Sequence, residues 1–191
     1  MTGTYGVTTL HRLAGVVAGL TMIVTVFATS VRAQDLTLDA FFGTFEGSAV
    51  AESADSLFFA VRVRDLDVEI RPTGDGGFTV RWKTVMRTDG DDDNDDAARR
   101  TAQLTFRPSE RSGVWLAEEA NDALSPAGFG WATIDGATLA VSIITIGDTG
   151  RYNIQVYNRS LNSKGMALEF RRMVDGVKGR TVRGNLVRVA E

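Results

Sequence analysis

Six aspartates fall within eight residues, in the run Asp89-Gly90-Asp91-Asp92-Asp93-Asn94-Asp95-Asp96. Several carboxylate oxygens on one loop are what a hard cation such as calcium requires, and Asp89, Asp91, Asp93 and Asp95 are the candidate ligands. An EF-hand register starting at Asp89 fails twice. It puts Asn94 where the turn needs glycine and Arg100 where a bidentate glutamate should close the shell. The run reads instead as a self-repelling, solvated hairpin tip followed by Arg99 and Arg100, because blocks of like charge repel and stay hydrated. No metal is assigned to it.

Thiol and imidazole chemistry are excluded more firmly. The chain has no cysteine, and its one histidine, His11, lies in an N-terminal apolar segment. Outside that segment there is no Ser-His-Asp or Cys-His triad and no means of holding zinc or haem by histidine. No cofactor is assigned. No paired carboxylates stand out, so an enzyme relying on carboxylates, Tyr or Lys is a minor alternative. The remaining recognition chemistry is aromatic. Trp82, Phe106, Trp115, Trp131, Tyr152 and Phe170 occupy alternating strand positions. A small barrel uses such residues either to line a ligand cavity or to fill a core. Tyr157, Asn158 and Arg159 are polar enough to line a mouth. Arg62, Arg64, Arg81 and Lys83 alternate opposite Asp65, Asp67 and Glu69, a pattern of cross-strand pairs on an outer face.

These residues need strands to position them. In the stretch from Arg151 to Val189, Tyr152, Ile154 and Val156 alternate with Arg151, Asn153 and Gln155, and Met166, Leu168 and Phe170 alternate with Ala167, Glu169 and Arg171. A strand points successive side chains to opposite faces, so each should carry one apolar face toward the core and one polar face. A third strand, Arg180 to Val189, ends the stretch. Asp175-Gly176 and Asp135-Gly136 are hairpin signals, because their residues accept the positive φ that tight turns demand. Upstream, Phe78, Val80 and Trp82, and then Ala102, Leu104 and Phe106, alternate in the same way. Val114 to Ala117 reads as a short strand and Asn121 to Gly130 as a loop. The count is eight to ten strands with no helix of any length. Such spacing marks an all-β protein, and a single antiparallel up-and-down barrel is favoured because closure removes exposed strand edges.

Gly43-Thr44-Phe45 near the start, the up-and-down strand run and the final Leu186-Val187-Arg188-Val189 together resemble the calycin superfamily of lipocalin-like barrels. In that family a Gly-x-Trp on the first strand packs beneath an arginine from the last. The resemblance implies that Gly43, Phe45 and Arg188 close the barrel, with Phe45 standing where the family has tryptophan.

Residues 1–33 read as a separate segment. Leu13 to Ala28 is apolar and uncharged, and Val31-Arg32-Ala33 precedes Gln34 as a signal-peptide cleavage site would. The expected product is one barrel domain over 34–191, periplasmic or secreted, in a bacterium by its arginine-rich, lysine-poor usage. Removing Arg12 and Arg32 leaves 19 basic against 24 acidic residues, a net charge of −5. That balance disfavours nucleic acid, and cleavage removes any stable membrane insertion. The leading expectation is a barrel that binds a small, largely apolar ligand without transforming it. A filled-core structural or protein-interaction barrel is the first alternative, and an outer-membrane barrel a lesser one.

Overall fold

The computed structural model of the chain describes residues 35–52, 63–86 and 98–190. The proposed signal segment, the acidic run from Asp89 to Asp96 and Arg62 lie outside the described residues. After one 3-10 turn, Leu38–Phe41, ten strands follow: β1 (Gly43–Glu52), β2 (Val63–Pro72), β3 (Phe78–Met86), β4 (Ala98–Pro108), β5 (Val114–Asp122), β6 (Gly128–Asp135), β7 (Thr138–Ile146), β8 (Tyr152–Asn162), β9 (Gly165–Val174) and β10 (Val177–Ala190). Each pairs antiparallel with its neighbour in sequence, and β1 also pairs with β10, so the sheet closes into a barrel. Closure pairs the first strand with the last, which is how an all-hairpin sheet avoids edge-to-edge association.

The turn chemistry explains the order. Asp175 and Gly176 adopt φ of 49° and 80°, the pair of positive values that a two-residue hairpin between β9 and β10 needs. At the start of β1, Gly43 has φ of 138°, and a Cβ there would lie 2.7 Å from the Ala190 carbonyl oxygen. Only glycine lets the first strand meet the last this closely. The register then shifts between Thr44 and Phe45, a bulge that bends β1 into closure.

One end of the barrel is packed solid. Phe41, Phe45, Ile70, Phe78 and Phe106 are fully buried there. Phe78 stacks on Phe106 with ring centroids 4.9 Å apart, and Trp115 meets Phe78 edge-on at 5.8 Å. Trp115 Nε1 donates to the Gly76 carbonyl at 2.9 Å, satisfying its one polar group. Each buried ring removes enough apolar surface from water to stabilise the fold by roughly 1.5–3 kcal/mol.

Two stretches depart from the pattern expected of the sequence. β5 does not stop at Ala117; it continues to Asp122 through a register shift between Leu116 and Asn121, leaving a short turn over 123–127 where a longer loop was expected. The shift buries both Ala117 and Ala120, against which Gly130 packs closely. It also parts β5 from β4 beyond Phe106, and Glu119 fills the gap. Its carboxylate accepts from Thr105 N at 2.8 Å and from Thr105 Oγ1 at 2.7 Å. Burial would raise the Glu119 pKa, but these hydrogen bonds outweigh it and hold the carboxyl below its ordinary value.

The second departure is β8, which is inverted. Its residues Gln155, Tyr157 and Arg159 point into the barrel, opposite Ile143, Val141 and Leu139 of β7. By strand alternation Tyr152, Ile154 and Val156, expected to face the core, are on the outside. They continue an outer apolar strip: Ile154 pairs with Ile144 and Met173, and Ile144 with Phe129. The cause is the register with β7, whose inner face already supplies Leu139 and Val141, both fully buried.

Candidate functional site

Beyond the packed end, toward Thr84 of β3 and Thr101 of β4, the barrel holds a cavity of about 700 Å³. Its apolar wall is Leu66 and Val68 of β2, Ile143 of β7, Leu168 of β9 and Val182 of β10. Its aromatic wall is Trp82, Tyr157 and Phe170. The Trp82–Tyr157 ring centroids are 5.4 Å apart and Tyr157–Phe170 4.7 Å, so the three rings run in one strip. The strip follows from the register, which seats Tyr157 opposite Phe170 across β8 and β9.

Of the six aromatic candidates, Trp82 and Phe170 line this cavity. Phe106 and Trp115 belong to the packed end. Trp131 pairs with Leu116 and Ser142 between buried Gly130 and Ala132, so it faces outward, beside Phe129 at 6.1 Å. Tyr152 likewise lies on the outer face of β8. Gly43, Phe45 and Arg188 meet at closure. Phe45 and Arg188 are register partners, and the guanidinium carbon stands 4.8 Å from the Phe45 ring centroid. Arg188 Nη1 donates to the Phe42 carbonyl at 2.6 Å and Nη2 to the Ala40 carbonyl at 2.7 Å, tying the 3-10 turn to the last strand.

The feature that sequence alone misplaced is Arg159. Expected at a mouth, it is instead buried, 1% exposed, in the cavity wall. Among the described residues it is the only buried charged side chain, and its Nε and Nη1 have no hydrogen-bond partner. Its guanidinium carbon lies 5.7 Å from the Trp82 ring centroid and 5.5 Å from that of Tyr157. Two such cation–π contacts return about 1–4 kcal/mol in total when desolvated, against several kcal/mol for taking an ion out of water. The balance is unfavourable. Burial pushes the Arg159 pKa down to about 10, with the Tyr157 phenol opposing slightly, so the group stays charged at neutral pH. The Tyr157 hydroxyl donates to Gln155 Oε1 at 3.1 Å, and burial holds its own proton on to higher pH than usual, the Arg159 charge opposing.

The described lining residues include no carboxylate; their polar members besides Arg159 are Thr84, Thr101, Gln155 and Tyr157. The outer face differs in kind. Lys83 Nζ lies 3.6 Å from Asp67 and Arg81 lies 4.0 Å from Glu69, across the β2–β3 register that pairs those residues.

No protein-family model matches the sequence, and no curated protein does. Among solved structures the chain is similar to an S-type phycobiliprotein lyase from Guillardia theta, at 10% identity and a TM-score of 0.34, over 80% of this chain and 93% of that one. The assignment of an antiparallel lipocalin-like barrel rests on the strand pairing of this chain itself.

Proposed function

We propose that this chain is an exported barrel that holds one small, largely apolar molecule and releases it unchanged. The observation that carries the reading is the contrast between the solid end, where ring stacks on ring, and the unfilled 700 Å³ beside the Trp82–Tyr157–Phe170 strip. A purely structural barrel has no reason to leave such a volume unfilled by its described strands, since each unfilled volume forfeits packing. The size lies inside the range of roughly 300–1,000 Å³ typical of small-molecule sites. Paired charges on the outer face of β2 and β3 suit water better than the lipid-facing band of an outer-membrane barrel.

Nile red, a neutral apolar dye, tests the binding half. Fluorescence should rise with a saturable dependence, and organic extraction of the purified protein should release a bound compound. No dye binding and no extractable compound would return the filled-core alternative. For export, the charge-free run before Val31-Arg32-Ala33 motivates an intact-mass measurement. Protein from the periplasm or medium should begin at Gln34. A full-length species held in the inner membrane would overturn that half.

A further inference from the structure

We propose that the molecule held in the cavity carries an anionic group, a carboxylate in the first instance, and that Arg159 binds it inside the barrel. The inference rests on the small-ligand reading above and names the chemistry of the ligand. Arg159 is held in the wall from both sides, opposite Leu139 on β7 and Leu168 on β9. Its guanidinium is shut off from solvent, the residue being 1% exposed. A guanidinium remains charged at any physiological pH and presents its donors around its edge, while its faces suit aromatic rings. Here Trp82 and Tyr157 supply rings, and Nε and Nη1 find no acceptor among the described residues. No oxygen of the described lining, those of Thr84, Thr101, Gln155 and Tyr157 included, is hydrogen-bonded to these two donors. An anion in the cavity supplies the acceptor, through charge-assisted hydrogen bonds that are the strongest available to this side chain.

The rest of the lining defines the remainder of the ligand. Leu66, Val68, Leu168 and Val182 on one side and the ring strip on the other accept an alkyl or aryl body. A polar or multiply charged body would meet no partners there. The ligand class is thus an amphipathic monoacid: one carboxylate on an apolar chain or ring system. Fixed anchoring at Arg159 gives such a molecule an orientation, which an apolar cavity alone does not impose.

The test compares dodecanoate with methyl dodecanoate, each displacing Nile red from the wild-type protein and from Arg159→Met. At neutral pH dodecanoate should displace the dye from wild type at a concentration at least tenfold lower than its ester. In Arg159→Met the two should differ by less than threefold while Nile red binding persists. Lowering the pH until the acid is protonated should abolish the wild-type preference. Equal displacement by acid and ester from wild type, with Nile red still bound, overturns the anchor and leaves the small-ligand reading intact. An unchanged preference in Arg159→Met overturns it equally. Failure of Nile red, acid and ester alike removes the small-ligand reading, and the anchor falls with it. Should Arg159→Met not fold, Arg159→Lys keeps a cation at the site and should retain a reduced preference for the acid. A folded Arg159→Lys with an acid preference equal to that of wild type would overturn the role given to the guanidinium's own donors.

Discussion

Among the residues whose side chains are described, two arginines are aimed inward, Arg188 at the packed end and Arg159 in the cavity wall, and they are held in opposite ways. Arg188 has acceptors: the carbonyls of Ala40 and Phe42 at 2.7 and 2.6 Å, with the Phe45 ring 4.8 Å from its guanidinium carbon. Arg159 has rings but no acceptor for Nε or Nη1 among the described residues. A buried polar group without a hydrogen bond costs stability, whereas one with good partners contributes to it. The difference separates a side chain that serves the fold from one kept despite the fold. Arg188 joins the first strand, the 3-10 turn and the last strand; Arg159 touches two rings but makes no hydrogen bond through Nε or Nη1 among the described residues.

The sharpest way to break the comparison is at the packed end. Phe45 is fully buried beneath Arg188, so Phe45→Ala should lower unfolding stability by about 3–5 kcal/mol in urea denaturation, the usual cavity cost for a large aromatic. Arg188→Ala should cost about 2 kcal/mol, since it strands two carbonyls whose donors were charged. The double mutant should cost less than the sum by about 0.5–2 kcal/mol, the range of a cation–π contact. Additivity within error would mean that the ring and the guanidinium do not cooperate, and the closure at Gly43-Thr44-Phe45 would lose its energetic support.

Arg159 should respond with the opposite sign. Arg159→Met replaces an unpaired cation by an apolar side chain of similar length, and the ligand-free protein should gain about 1 kcal/mol or more. Stability lost in the ligand-free protein on this substitution would show that Arg159 does have an acceptor in the fold, and the contrast with Arg188 would vanish. The charge state does not blur the measurement. With its pKa lowered by burial to about 10, Arg159 is protonated in both folded and unfolded chains near neutral pH. Its contribution to the pH slope is therefore negligible around pH 7 and grows only as pH approaches 10, where the folded chain loses the proton first and stability rises with pH.

What could be read from the sequence was the part written locally. Alternation located the strands, Asp135-Gly136 and Asp175-Gly176 located two hairpins, and a closed antiparallel barrel followed from the number of edges to be removed. Alternation gives a strand two faces but does not say which one is inside. On β9 the apolar face, Met166, Leu168 and Phe170, is inward; on β8 the apolar Ile154 and Val156 are outward. That inversion is decided by register with β7 and β9, a long-range property with no local signature. The same uncertainty of face groups Tyr152 with Trp82 and Phe170 in the sequence and places Arg159 at a mouth, and on β6 it does the same for Trp131. An arginine in an apolar wall contradicts every local rule, and functional sites are where such rules tend to break. Bulged β5 was misjudged for a related reason. Its continuation past Ala117 depends on Glu119 reaching Thr105 of another strand.

The smallest effect comes from a third arginine, which sets the scale for an ordinary surface contact. Arg151 Nε lies 2.6 Å from Asp175 Oδ2, and Tyr152 N donates to Asp175 Oδ1 at 2.9 Å. The hydrogen bond from Arg151, and then that from Tyr152, hold the Asp175 carboxyl below its ordinary value. A carboxyl whose folded pKa is depressed adds stability above its unfolded pKa of about 3.9, and that stability is lost as pH falls through the folded value. Asp175→Asn keeps the side-chain shape and tolerates the positive φ of 49° at this turn, so it removes the charge and one of the two acceptor oxygens without disturbing the backbone. The variant should be less stable than wild type at pH 7 by less than either Phe45→Ala or Arg188→Ala, because the pair is exposed to solvent and salt. The difference should close as the pH is lowered below 4. A gap of equal size at pH 7 and pH 2.5 would mean that the turn geometry, not the charge, responds to the substitution.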